Sequence, residues 1–270
     1  MRFSPRTVSW LTPGLATLLA CALTSGCGYS EYEMRLNESK KYFAYLDKIE
    51  QSLAPKWQAQ GNVVDVRVPK QFANIPAPPP PPKDADKSEI PIDHRQPDYF
   101  NLILPGMFGA WEATFKVAKP DGTTEDRKGY IYALSNYWEF AGEHAVDAGE
   151  FVTKLKDFLT DKLKTPLSDP RQESYPKLAG SYVPQSLYDV SSFKGKEIDG
   201  ANYTFEVYGK SNGSVIGVIV TVLPEGLDTN QKISERIPLM LETFNVTRTP
   251  PKAGADQNAV APANAGGAAF

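Results

Sequence analysis

The side chains whose types and spacing suggest chemistry are few, and the clearest is the thiol of Cys27. It closes the run Leu23-Thr24-Ser25-Gly26-Cys27, in which small residues stand directly before the sulfur. Ahead of that run lies an apolar stretch from Val8 to Leu23, broken by Pro13-Gly14 and preceded by Arg2 and Arg6. A positive start, a short apolar run and a small-residue exit mark a secretory signal that is removed, not a membrane span. A thiol at that exit can take a diacylglyceride through a thioether, so Cys27 is the predicted lipidation site and the predicted first residue of the mature chain. The place three before the cysteine, where an aliphatic residue is usual, holds Thr24, with Leu23 one position early. Leu18-Leu19-Ala20-Cys21 satisfies the same pattern, but cutting there leaves the stub 22–26 and shortens the apolar run, so Cys27 is preferred. An ordinary signal peptide, with Cys27 as a stray thiol or disulfide partner, stays open as the alternative.

A second constellation is weaker. Glu139, Glu143, His144 and Asp147 could converge on a divalent cation, although zinc takes more nitrogen or sulfur than one imidazole supplies. The competing reading makes Asp147 a helix cap in a polar loop. His94, between Asp93 and Arg95, is expected to be solvated and receives no role. Glu125-Asp126 pairs two carboxylates in a hairpin loop, where water keeps them ordinary surface acids, whereas proton transfer needs shifted acids in a cleft. Both cysteines fall at or before Cys27, which leaves no disulfide framework, cysteine-bound metal or cysteine nucleophile downstream. No nucleophile elbow, phosphate loop, dinucleotide fingerprint or His-Glu-x-x-His occurs. No catalytic, cofactor or metal residue is therefore assigned. A hydrolase or metal-binding protein using acids near His144 is kept as the second hypothesis.

Acyl chains hold a protein on a leaflet through buried methylenes at roughly 0.8 kcal/mol each, and several chains make the attachment firm. Gly28 after the cysteine points to the outer membrane by resemblance to bacterial sorting signals, with the choice between inner and outer membrane left open. Loss of residues 1–26 removes Arg2 and Arg6 but no acid, which moves the formal net charge from −3 to −5. An acidic balance without a basic run argues against nucleic acid as a partner.

These residues need elements to place them. Between Glu31 and Leu53, Tyr32, Leu36, Ser39, Phe43, Leu46, Ile49 and Leu53 recur at spacings of three and four, predicting a helix with one apolar side. That side needs a partner: its own domain, a second copy through a coiled coil, or a lipid surface. Val64, Val66 and Val68 alternate with Asp65 and Arg67 as a short strand. Pro78 to Pro82 form an extended polyproline spacer, and the polar stretch from Lys83 to Asp98 reads as irregular, with disorder expected as far as about Pro97.

A hairpin is predicted from Trp111 to Ala118 and Gly129 to Ser135. Asp147 with Glu150 resembles a capping box, followed by the apolar face Phe151, Val152, Leu155, Phe158, Leu159 and Leu163. A polar loop is expected over 165–184. Strands then follow from Leu187 to Phe193, Asn202 to Tyr208 and Ser214 to Leu223, with Asn212-Gly213 as the tight turn between the last two. Val215 to Val222 is apolar on both faces and so requires a layer on each side. Asp228 is the expected cap of a last helix with Ile233, Ile237, Leu241 and Phe244, in which Pro238 should produce a kink or an early stop. Trp111, Tyr130, Tyr132, Tyr137 and Trp138 gather on the first hairpin, where core packing is the default and a protein or glycan groove the alternative.

This order gives an α+β fold, an antiparallel sheet flanked by helices as an α/β/α sandwich, preceded by an amphipathic helix and a Pro-rich linker. Tyr203-Thr204-Phe205, Gly217-Val218-Ile219-Val220 and Met240-Leu241-Glu242-Thr243-Phe244-Asn245-Val246 resemble the closing half of PsbP-type domains, which end in a helix and a Ser/Thr-Phe-x-Val run. That family shares a shape and not an active site, so the resemblance implies a fold and no functional residue. The chain as a whole resembles bacterial lipoproteins. The expected division is signal 1–26, membrane-proximal helix and strand 27–75, linker 76–98, sandwich 99–248 and disordered tail 249–270. The expected role is that of a lipid-anchored cell-envelope protein facing the periplasm or exterior, non-catalytic, that binds or assembles an envelope partner and self-associates, if at all, through the Glu31 to Leu53 helix.

Overall fold

The computed structural model describes residues 27–79, 92–119, 122–137, 147–177, 182–227 and 229–247. The chain divides into two compact units, Met1–Gln51 and Ser52–Phe270. The predicted signal and tail, the run 80–91, and Glu139, Glu143, His144 and Asp228 lie outside the described residues.

The described part of the first unit is one helix, α1 (Cys27–Ser52), whose last residue opens the second. Its apolar stripe is realised unevenly: Tyr32, Leu36 and Phe43 are exposed, Leu46 is half-buried and Ile49 is buried. Among the described residues no helix is long and apolar enough to cross a membrane.

The second unit is mixed α+β, built on a seven-stranded antiparallel sheet of order β3-β4-β5-β9-β8-β7-β6. The strands are β3 (Ala73–Ile75), β4 (Met107–Ala118), β5 (Thr124–Ser135), β6 (Ser168–Tyr175), β7 (Ser186–Ile198), β8 (Ala201–Asn212) and β9 (Val215–Pro224). A second sheet, β1-β2-β10, joins Trp57–Gln58, Val64–Val66 and Asn245–Val246. β9 is the middle strand and is buried along its length apart from half-buried Leu223, as its unbroken apolar run requires.

Period-two alternation divides β9 between two faces. Ile216, Val218, Val220 and Val222 share a core with Phe151, Val152, Leu155, Leu159 and Leu163 of α2 (Ala148–Leu163). The opposite face carries Gly217, against which Phe244 and Val246 close. α2 begins as its sequence dictates: the Asp147 carboxylate accepts from the Glu150 amide at 2.8 Å, and Lys164 ends the helix in the left-handed region at φ 49°.

On the Gly217 face lies α3 (Ile233–Thr243), with Ile237, Met240 and Leu241 buried. Tyr188 of β7 donates its hydroxyl hydrogen to the Leu241 carbonyl at 2.7 Å. Lys210 donates to the Phe244 carbonyl at 2.6 Å and Asn212 to the Val246 carbonyl at 2.8 Å, so β8 side chains satisfy carbonyls just beyond the helix. Asn136 orders the entry to β9, accepting from the Ile216 amide at 2.9 Å and donating to the Ser214 carbonyl at 3.0 Å.

Several expectations need correction. The compact unit opens at Ser52 and not at 99, because β2 pairs with β10 and β3 extends the main sheet beside β4. Disorder does not persist to Pro97: residues 92–97 form neither helix nor strand, yet Asp93, Arg95 and Pro97 are buried. The polar loop 165–184 contains β6, an edge strand whose side chains are largely exposed. An edge strand needs neither an apolar face nor a second ladder, and Pro170 falls in the register shift between Ser168 and Arg171, where no ladder donor is required. The hairpin turn is Gly213-Ser214, since Asn212 still pairs with Val215, and Gly213 alone supplies the left-handed φ of +69°. α3 starts after Lys232 and passes through Pro238 to Thr243, so the proline does not stop it.

Two measurements follow. A Cβ at position 217 would stand 2.6 Å from the Phe244 ring and closer still to Val246. Gly217→Ala is expected to lower stability by about 1–3 kcal/mol through overpacking, read as a reduced urea midpoint; an unchanged midpoint would show that this face is loosely packed. On β6, burial opposes the charge of Glu173, but hydrogen bonds from Lys177, Tyr175 and Arg171 outweigh it and hold the carboxyl at about 2. A depressed folded pKa stabilises the fold above the ordinary value of 4.5 and loses that contribution as pH falls toward 2. Glu173→Gln should therefore flatten the stability profile between those values, and a wild-type slope there in the variant would contradict the assignment.

Candidate functional site

The first hairpin sends alternate side chains to opposite faces of the sheet. Trp111 goes to the Gly217 face, buried edge-on against Trp57 with ring centroids 4.9 Å apart, and is core. Tyr130 and Tyr132 go to the α2 face, where their rings stack at 6.1 Å. Trp138 lies outside the described residues, and Tyr137 is half-buried at the end of β5.

Residues 92–104 lie against this part of β4 and β5. Asp93 and Arg95 form a buried two-pronged ion pair, with Arg95 Nη2 and Nε donating to the carboxylate at 2.7 and 2.8 Å, and Nη1 reaching the Phe108 carbonyl at 3.2 Å. A buried pair of this geometry is costly to desolvate but fixes one arrangement of the segment, because either partner alone would be an uncompensated charge. Gln96 completes the attachment, accepting from the Leu104 amide at 2.7 Å and donating to the Leu104 carbonyl at 3.1 Å. Tyr99 is thereby placed with its hydroxyl 2.9 Å from that of Tyr132.

Two clefts flank this segment. One, of about 360 Å³, is lined by Ile75, His94, Glu112, Lys128, Tyr130 and Tyr132 among others. The other, of about 440 Å³, is lined by Tyr99, Asp126, Arg127, Asp199 and Tyr203 among others. Asp98, Lys128 and Tyr130 border both.

Burial raises the Tyr99 phenol well above its usual range, with Tyr132 adding to the effect. Burial pushes Tyr130 up to about 12, reinforced by the carboxylates of Asp98 and Glu112. Tyr132 is raised for the same first reason. All three keep their protons at neutral pH, and one of the Tyr99 and Tyr132 hydroxyls donates to the other. The cations at the rim are tied down: Lys128 to Glu112 at 2.9 Å, and Arg127 to Glu125 at 2.7 Å and to the Asp199 carbonyl at 2.6 Å. Glu125 and Asp126 lie in β5 and not in a loop. Arg127 and then Lys119 hold the Glu125 carboxyl below its usual range, and Asp126 pairs with Lys116 at 2.6 Å.

The other sequence candidates separate. Cys27 opens α1, His94 is exposed at the rim of the first cleft, and the Asp147 carboxylate is occupied as a cap. With Glu139, Glu143 and His144 outside the described residues, the proposed cation cluster is represented only by Asp147. Among the described residues no group of three His, Cys, Asp or Glu could hold a metal ion. Asp98, Tyr99, Lys128 and Tyr203 were not singled out by spacing. They come from three segments, residues 92–104, β5 and β8, and only the hairpin aromatics give a signal for this site.

No family model matches the chain, and no curated protein does. A solved structure from Bacteroides thetaiotaomicron VPI-5482 is similar at 11% identity and a TM-score of 0.32, covering 71% of this chain and 48% of that one. The chain thus spans about half the length of that protein.

The cleft chemistry is checked by the difference in phenolate absorbance between the wild type and Tyr130→Phe. Little difference is expected up to about pH 10, since burial pushes Tyr130 up to about 12; a difference signal centred near 10 would show an open, unperturbed phenol.

Proposed function

We propose that this is a lipid-anchored cell-envelope protein, attached through Cys27 and facing the periplasm or exterior, whose folded unit binds an envelope partner without catalysing a reaction. The observation that carries the anchor is the run Leu23-Thr24-Ser25-Gly26-Cys27 behind its apolar stretch. α1 continues directly from that cysteine, and at 1.5 Å per residue its 26 residues measure about 39 Å. Such a helix would serve as the connector between the lipid anchor and the folded unit.

We read the folded unit as an α/β/α sandwich of PsbP-like form. Supporting this are α2 on one sheet face and Phe244 and Val246 on the other, with Tyr203-Thr204-Phe205 on β8, Gly217 to Val220 on β9 and Met240 to Val246 running from α3 into β10. A binding role is favoured by the paired clefts, whose phenols stay protonated and whose cations are already neutralised. The acidic balance of the chain disfavours nucleic acid.

The experiment is Cys27→Ser expressed beside the wild type in bacteria fed a clickable fatty acid. The wild type should carry the label and sediment with membranes, while the variant should lose the label and enter the soluble fraction. Label and sedimentation unaffected by the substitution would refute the anchor.

A further inference from the structure

Among the described residues, ten large hydrophobic side chains are exposed, and six of them lie on α1: Tyr29, Tyr32, Met34, Leu36, Tyr42 and Phe43. Four of the six fall on one line. At about 100° per residue, Tyr29, Tyr32, Leu36 and Phe43 share an arc of about 60°, with exposures of 66%, 63%, 41% and 62%. Farther along, the same arc carries Asp47 and Glu50, so it is apolar only over the turns that follow Cys27. Arg35 flanks the line on one side and Lys40 on the other, beside Glu33. Glu31 and Glu38 lie toward the opposite face, where Lys41 pairs with Glu38 at 2.9 Å.

Two occupants compete for such a face, and the sequence of charges separates them. Taken as the seam of a coiled coil, the positions 29, 32, 36, 39, 43, 46 and 50 put Ser39 and Glu50 in the core. Two copies held in one leaflet by their first residues must also run parallel, and parallel pairing sets Arg35 against Lys40 of the second copy. A membrane surface fits better. Tyrosine seats its ring at the headgroup level with its hydroxyl toward water, and long basic side chains reach past an apolar strip to anionic headgroups. The strip ends about 24 Å from Cys27 along the axis, so a lipid on that residue keeps all of it beside the bilayer.

We infer that the first half of α1 lies along the anionic surface of the leaflet that holds the Cys27 lipid, with Tyr29, Tyr32, Leu36 and Phe43 seated at the headgroup boundary. This rests on the lipid-anchor reading. The acidic continuation at Asp47 and Glu50 then lifts the second half of the helix into water.

The test uses the full mature chain with its own acyl group, reconstituted into phosphatidylcholine vesicles containing phosphatidylglycerol. Tyr32→Cys, Phe43→Cys, Met34→Cys and Lys41→Cys are each spin-labelled. Accessibility to oxygen relative to a water-soluble nickel reagent should be severalfold higher at 32 and 43 than at 34 and 41. An acylated chain with four equally aqueous labels overturns the inference and leaves the anchor standing. Protection of 32 and 43 accompanied by strong label–label coupling between molecules assigns the face to a second copy and overturns it as well. Absence of the acyl group on Cys27 in the same preparation defeats the anchor reading, and this inference with it.

Discussion

The burial of β9 on both faces is the constraint around which the folded unit is arranged. A strand with Ile216, Val218, Val220 and Val222 on one side and Gly217, Ile219 and Thr221 on the other cannot sit at an edge or face water. Fully burying one such side chain contributes about 1.5–3 kcal/mol, so leaving either face uncovered would cost more than most domains have to spare. The chain meets the demand from both ends. α2 closes one face, while Phe244 and Val246 come down onto Gly217 on the other. β10 then pairs with β2, which ties Val64–Val66 to Asn245–Val246 across nearly the whole unit. The early segment is therefore a structural part of the fold and not an appendage to it.

Polar groups are arranged in a similar economy. Carbonyls just beyond α3 are taken by Lys210 and Asn212, and the carbonyl of Leu241 by Tyr188. The buried Asp93–Arg95 pair fastens residues 92–104 onto β4 and β5, and by doing so shapes the clefts beside Tyr130. The surfaces of those clefts hold protonated phenols and paired cations, a composition that can recognise a partner by hydrogen bonding and shape.

Periodicity made part of this legible. β9, the hairpin of β4 and β5, the capped helix α2 and the buried face of α3 follow from residues whose local pattern agrees with their tertiary surroundings. β6 did not announce itself, because a strand paired on one side can be as polar as Ser168–Tyr175 and carry a proline where the register shifts. The boundary at Ser52 was hidden by the proline run, whose composition suggests a division at that place instead. For α1, spacing revealed an amphipathic helix but not what its apolar side would meet: Ile49 is buried, Phe43 is not. The clefts draw on separate segments, and only three-dimensional placement brings Asp98, the β5 residues Lys128 and Tyr130, and Tyr203 of β8 together.

The proposed function turns on one covalent bond: a diacylglyceride on the Cys27 sulfur would hold the start of α1 at a bilayer and leave the clefts facing the envelope. Intact mass analysis of the amino-terminal peptide from membrane-extracted protein is the direct measurement. The expected species begins at Cys27 and carries a thioether-linked glyceride. A peptide beginning elsewhere, or one beginning at Cys27 with a free thiol, would contradict this account of the molecule.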